Sequence, residues 1–120
     1  MAKVIPDSII DLMLDQIEGD NVHVCSAEPT TYTEAATTYQ LATQSISGAN
    51  ITAANGDTSG RKNTYAPATG TNIDSSGLAN HVAISTGTTL LLVTTCTSQT
   101  LTSGGTVDIG SFAHEIGDPT

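Results

Sequence analysis

Five residues of this chain belong to the types that bind transition metals: His23, Cys25, His81, Cys96 and His114. Structural zinc sites usually bring their ligands in close pairs, and only His23 and Cys25 are near each other here. His114-Glu115 is not followed by a second histidine at the spacing of the zinc proteases. The spacing therefore indicates no metal site.

Residues for acid–base or nucleophilic chemistry are present but do not form a recognisable set. The chain has no G-x-S-x-G turn and no serine, histidine and acid combination that stands out. Asp11 and Asp15 lie one helical turn apart, where solvated carboxylates are the ordinary interpretation. No glycine-rich turn joins a strand to a helix, and residues 55–60 lack the acids of a calcium loop. We expect a protein that is not an enzyme and that binds no cofactor.

The two cysteines, Cys25 and Cys96, leave three alternatives open. The favoured one is a pair of buried thiols, because a cytoplasmic product keeps its cysteines reduced. An internal disulfide would close a loop of about 70 residues. In the chain-entropy model it would stabilise the fold by on the order of 4 kcal/mol. An intermolecular bridge is the third alternative.

Composition excludes several classes of partner. The 120 residues fit a single domain, 1–120, and include 21 threonines and 11 serines, whereas charged residues make up only 12%. The formal net charge is −9, which disfavours nucleic acid and anionic membranes, since both attract cationic surfaces. Acids interrupt the apolar residues near the amino terminus, so we expect neither a signal peptide nor a membrane span, and synthesis in the cytoplasm.

A short amphipathic helix is predicted over residues 7–19, after an amino-terminal segment, 1–6. Ser8 and Asp11 have the spacing of a weak capping box, and Gly19 can adopt the left-handed conformation that ends a helix. An isolated helix of this length is marginally stable, so its apolar stripe must pack on the rest of the domain. The predicted stripe consists of Ile9, Ile10, Met13, Leu14 and Ile17.

The remaining residues, 21–116, are predicted to form a β domain. Val22 and Val24 alternate with polar residues, which favours a first strand with one inward face. Residues 35–42 also fit a helical turn, and Asn55-Gly56 is a hairpin signal within a turn-rich segment, 47–60. Residues 30–38 and 69–77 are predicted loops. The predicted strands are Asn21–Ser26, Tyr39–Ile46, Arg61–Ala66, His81–Ser85, Thr88–Thr97, Gln99–Thr102, Thr106–Ile109 and Phe112–Ile116.

These strands predict a mainly β fold: an antiparallel β-sandwich or barrel-like domain with one short amino-terminal α-helix. Two hairpins are expected in the last third, one turning at Thr86-Gly87 and one at Gly104-Gly105. Threonine favours extended backbone and tolerates water. Sheet edges built from neutral β-formers with few lysines accept a neighbouring strand readily, which suits a protein that lies against other chains.

In sequence order, these segments resemble a family of small virion proteins of tailed bacteriophages, described as head-decoration or tail-fibre proteins. The resemblance covers most of the chain outside residues 47–77. Its motifs are turns and aliphatic strands. The segments that carry it are the helix 8–18, the strand and turn Val22–Pro29, the hairpin Asn80–Gly87 with Thr88–Val93, and Leu101–Ile109.

The resemblance implies a capsid decoration (cement) protein on the virion surface, whose partners are the major capsid protein and copies of itself. It supplies no catalytic residues. Met1–Pro6 would lie on a neighbour through Val4 and Ile5, although both could equally pack on the helix of their own chain. A tail or fibre component for host attachment is the alternative, and a small hydrolase or ligand-binding sandwich is a third reading.

Overall fold

A computed structural model describes residues 5–67 and 69–117. These residues form one α-helix and nine strands, with a π-helical turn at Glu34–Thr38 and a 3₁₀ turn at Gly48–Asn50. The prediction of a mainly β fold with a short amino-terminal helix is confirmed. The elements are α1 (Asp7–Asp15), β1 (Asn21–Cys25), β2 (Gln40–Ser45), β3 (Ile51–Asn55), β4 (Arg61–Tyr65), β5 (Thr71–Asn72), β6 (Gly77–Thr86), β7 (Thr89–Leu101), β8 (Thr106–Val107) and β9 (Phe112–Ile116).

The described strands form three antiparallel sheets. The largest has the order β2-β1-β6-β7, the second β3-β4-β9, and the smallest pairs β5 with β8. Val22 and Ile84 from the first sheet share one buried cluster with Tyr65 from the second. The ring of Tyr65 stacks on Phe112 of β9, with centroids 5.0 Å apart. The sheets thus pack together in a sandwich-like arrangement around a shared core.

Strand β1 is buried on both faces, so the prediction of a single inward face is wrong. Val22 and Val24 belong to the main core, whereas Cys25 lies in a second cluster with Ala35 and Ala83. Ala35 belongs to the π-helical turn, which covers the outer face of the sheet. The sequence predicted a loop over 30–38, with a helical turn over 35–42 as the alternative. A strand paired on both sides and covered on both faces contains apolar or small residues at successive positions.

The last third of the chain differs from the predicted pair of hairpins. The first hairpin is present and longer than predicted, because β7 continues to Leu101, which pairs with Gly77. The second is absent: Thr106 and Val107 pair with Asn72 and Thr71 of β5. A strand β3, which the sequence missed, forms a hairpin with β4 at the Asn55-Gly56 signal.

A row of side chains on β4 anchors α1. The Arg61 guanidinium is ion-paired with Asp11 at 2.9 Å. The Asn63 side-chain amide donates to the Leu14 carbonyl at 3.1 Å, and the Tyr65 hydroxyl donates to the Ile17 carbonyl at 2.5 Å. Alternate residues of a strand share one face. The face of β4 toward α1 therefore binds the helix and the turn that follows it at three successive points.

This docking buries a narrower stripe than the sequence predicted. Ile10 and Leu14 are fully buried, but Ile9 and Met13 are exposed. The helix ends at Asp15, and no side chain caps its first turn, so the capping box predicted at Ser8 and Asp11 is absent. Asp11 is engaged by Arg61 instead.

Gly19 ends the turn after α1 in the predicted left-handed conformation, with φ of 70°. A β-carbon built at this position would lie 2.4 Å from Cγ2 of Ile84 and 2.7 Å from the Ser85 carbonyl oxygen. Only glycine fits such a close approach at positive φ. Gly19 therefore lets the helix connection lie directly on β6.

Replacing Tyr65 by phenylalanine tests the anchoring of α1. The Tyr65→Phe variant keeps the stacked ring but loses the hydrogen bond to Ile17, so we expect the free energy of unfolding to fall by about 1 kcal/mol. Urea denaturation measures this as a lower midpoint with an unchanged slope. The partly exposed Tyr32 provides the matched control, and Tyr32→Phe should change stability by less than about 0.5 kcal/mol. Equal losses in the two variants would contradict the anchoring.

Candidate functional site

Three large apolar side chains on α1 face solvent: Ile9 is 47% exposed, Leu12 58% and Met13 38%. Their spacing of three and four residues places them on one side of the helix. We call these three residues the helix patch. Contiguous exposed apolar side chains rimmed by polar residues are typical of interaction sites. Ile9 and Met13 were predicted to lie in the buried stripe, and no local pattern marked Leu12 as a surface residue of interest.

The surroundings of the helix patch are acidic. Five of the twelve acids of the chain lie on α1 or directly after it: Asp7, Asp11, Asp15, Glu18 and Asp20. The two described bases, Arg61 and Lys62, are ion-paired with Asp11 and Asp57. Partial burial raises the pKa of the Glu18 carboxyl, and the nearby Asp15 charge adds to this effect. Negative charge therefore accumulates at this end without a free described cation to offset it.

A second exposed surface lies on the distal half of β7. This strand is at the edge of the largest sheet, and its thirteen residues include no charged residue and no proline. All residues from Thr95 to Thr100 are exposed. The pairing of β7 with β6 shifts register twice. Such bulges hinder the addition of a further strand, so the edge is less open than its composition predicts.

A groove of about 370 Å³ opens beside this half of β7. Its opposite wall is the segment Val107–Phe112. Asp108, the one acid in its lining, already accepts a hydrogen bond from the Gly70 amide at 2.8 Å. The lining combines apolar side chains with hydroxyl groups and contains no histidine or lysine that could act as a base, which suits binding better than catalysis. It includes Val82, Thr94, Cys96, Leu101, Ile109 and Phe112.

The two surfaces lie at separate places on the fold. Gly19, which follows the helix, packs on Ile84 and Ser85 near the β6–β7 turn. The exposed half of β7 lies at the other end of the hairpin, where Gly77 pairs with Leu101. The helix patch and the groove are therefore formed by different elements, the first by α1 and the second beside β7.

The histidine best placed for chemistry is inaccessible. The Nε2 atom of His23 lies 2.8 Å from the Ser85 hydroxyl, and its Nδ1 atom lies 2.8 Å from the Gln40 side-chain oxygen. The arrangement resembles a nucleophile, base and orienting group, but His23 is 3% exposed and Ser85 is fully buried. The third group is a neutral amide in place of a carboxylate. No substrate reaches the serine, so the cluster stabilises the core.

The cysteines are both free thiols, in different environments. Cys25 is buried, as expected, and its pKa rises to about 11 because of burial and, to a lesser extent, the nearby Cys96. Cys96 is exposed, so the expectation of two buried thiols is wrong for this residue. Partial burial still raises its pKa. Both thiols are therefore protonated near neutral pH and are poor nucleophiles.

The other sequence-predicted residues are dispersed. His81 lies on β6 opposite Cys25, and His114 lies on β9 in the second sheet. Across residues 5–67 and 69–117, no three histidine, cysteine or acidic side chains are grouped as a metal site requires. Ile5 is half-buried directly before the helix, the position of a hydrophobic staple, and Val4 lies outside the described residues.

Comparison of the chain with protein-family models, with curated proteins and with solved structures found no match. No helix in the described part of the chain is long and apolar enough to cross a membrane.

The burial of His23 predicts a pH dependence of stability. Burial lowers the pKa of the His23 imidazole below its ordinary value of about 6.5, so below that pH the unfolded chain takes up a proton that the folded protein resists. Stability conferred by neutral His23 is present above about pH 6.5 and is lost as the pH falls toward the lowered pKa.

Urea denaturation at about pH 7.5 and about pH 5.5 measures this loss. His23→Gln should lose less stability than the unmodified protein over this interval. His81→Gln, the control at a partly exposed histidine, should keep the original dependence. The same dependence in all three proteins would show that His23 does not cause it.

Proposed function

We propose that this chain is a structural virion protein of a tailed bacteriophage, specifically a capsid decoration protein that binds and stabilises the lattice of the major capsid protein. Its role is adhesive, and the chain performs no chemistry. It binds no cofactor, nucleic acid or membrane, and it acts on the capsid surface.

The observation that carries this proposal is the presence of two exposed contact surfaces on one small domain. The helix patch presents apolar side chains to solvent. The groove beside β7 presents a lining of apolar side chains and hydroxyl groups. A protein that bridges neighbouring subunits needs at least two such surfaces. Many modest interfaces engaged together bind far more strongly than any one of them.

Chemistry of the described residues agrees with an adhesive role. The serine and histidine that meet are buried, and both thiols are protonated near neutral pH. The segments that resemble phage decoration proteins include α1, β1 and the β6–β7 hairpin, which form or adjoin the two contact surfaces. This overlap favours the decoration reading over a hydrolase or a ligand-binding sandwich.

Counting the copies of this chain in particles of the phage that encodes it tests the proposal. Quantitative mass spectrometry should find an amount comparable with that of the major capsid protein, because a cement protein occupies repeated lattice sites. Purified protein should also saturate expanded capsids that lack it. A few copies per particle, with loss of host attachment on deletion, would support the tail or fibre alternative. Failure to bind undecorated capsids would overturn the decoration proposal.

A further inference from the structure

We infer that the helix patch docks into an apolar groove rimmed by lysine or arginine on a partner protein. This inference rests on the proposed function for the existence of a virion partner, and it adds the chemistry by which that partner is recognised. It concerns Ile9, Leu12 and Met13 together with the acids at the carboxyl end of α1.

Helix α1 leaves three large apolar side chains in solvent. The anchors on β4 hold the helix with Ile10 and Leu14 inward, so Ile9, Leu12 and Met13 cannot reach the core of their own domain. Covering large apolar side chains on binding is favourable by about 25 cal/mol per Å². Binding to a partner with an apolar groove is therefore strengthened by all three side chains.

The acidic residues near the helix patch favour a partner with a basic rim over one with an acidic rim. Asp15 and Glu18 lie at the end of the helix, and the raised pKa of Glu18 reflects both partial burial and repulsion from Asp15. A basic rim on the partner would relieve this repulsion and add attraction, whereas an acidic rim would increase it. Arg61 and Lys62 are already ion-paired with Asp11 and Asp57, so neither is a free cation.

The same charges argue against a second copy of this chain as the occupant. Two helix patches facing each other would bring two acidic helix ends together, in a chain with a net charge of −9. Three partly exposed side chains also offer at most a few hundred Å², below the roughly 800 Å² per partner of a standard stable interface. The patch thus fits one contact in a lattice that holds each copy at several points.

The test compares variants for binding to expanded capsids without this protein, at about 50 mM and about 300 mM salt. Ile9→Gln combined with Leu12→Gln should weaken binding at least about tenfold at both salt concentrations. Asp15→Asn combined with Glu18→Gln should weaken it mainly at low salt, because screening already removes the attraction at high salt. Thr52→Gln, at an exposed residue on β3 outside both contact surfaces, is the control and should bind like the unmodified protein.

A second measurement does not depend on capsids. A copy with Asp15 and Glu18 each replaced by lysine presents the same apolar helix face with two cations at its carboxyl end. Nuclear magnetic resonance should show that this copy shifts the resonances of Ile9, Leu12 and Met13 in the unmodified protein, and that Ile9→Gln with Leu12→Gln abolishes the shifts.

Capsid binding that is identical in all variants would overturn the inference and leave the proposed function intact. Absence of capsid binding by the unmodified protein would overturn the proposed function, and the resonance shifts, present or absent, would then decide the inference.

Discussion

The orientation of α1 is set by the polar side chains that β4 directs at it. Arg61, Asn63 and Tyr65 alternate along the strand and bind Asp11 and the carbonyls of Leu14 and Ile17. Asn63 and Tyr65 are buried, and a buried polar group without a partner is costly. Rotation of the helix about its axis would break these contacts. These three contacts therefore determine which apolar residues of α1 enter the core and which remain in solvent.

The proposed adhesive role rests on that constraint together with the arrangement of the largest sheet. Strand β1 is covered on both faces, so the centre of the sheet is fully used for stability. Contact surfaces are left at the margins: the helix patch, and the groove beside the distal half of β7. The hydrogen bond between His23 and Ser85 lies inside this sheet and stabilises its packing.

The sequence predicted the positions of the strands better than it predicted how the strands pair. Period-two patterns located β1 and β2, strands were also predicted at β4 and β9, and the left-handed Gly19 was correctly placed at the end of the helix connection. Pairing of β8 with β5 brings together residues more than thirty positions apart, and no local pattern encodes it. The exposed side of α1 was misassigned for the same reason, since an apolar stripe shows what can be buried, and only β4 decides what is. The meeting of Ser85 with His23 likewise has no local signal.

Oxidation of Met13 by hydroxyl radicals is the measurement that tests most directly whether the exposed side of α1 is a docking surface. The Met13 side chain is 38% exposed, so radicals should modify it readily in the free protein. In intact particles the account predicts a rate at least about tenfold lower, because a docked partner covers this side of the helix, as in a fully desolvated interface core. Equal rates of Met13 oxidation in the free protein and in particles would contradict the account.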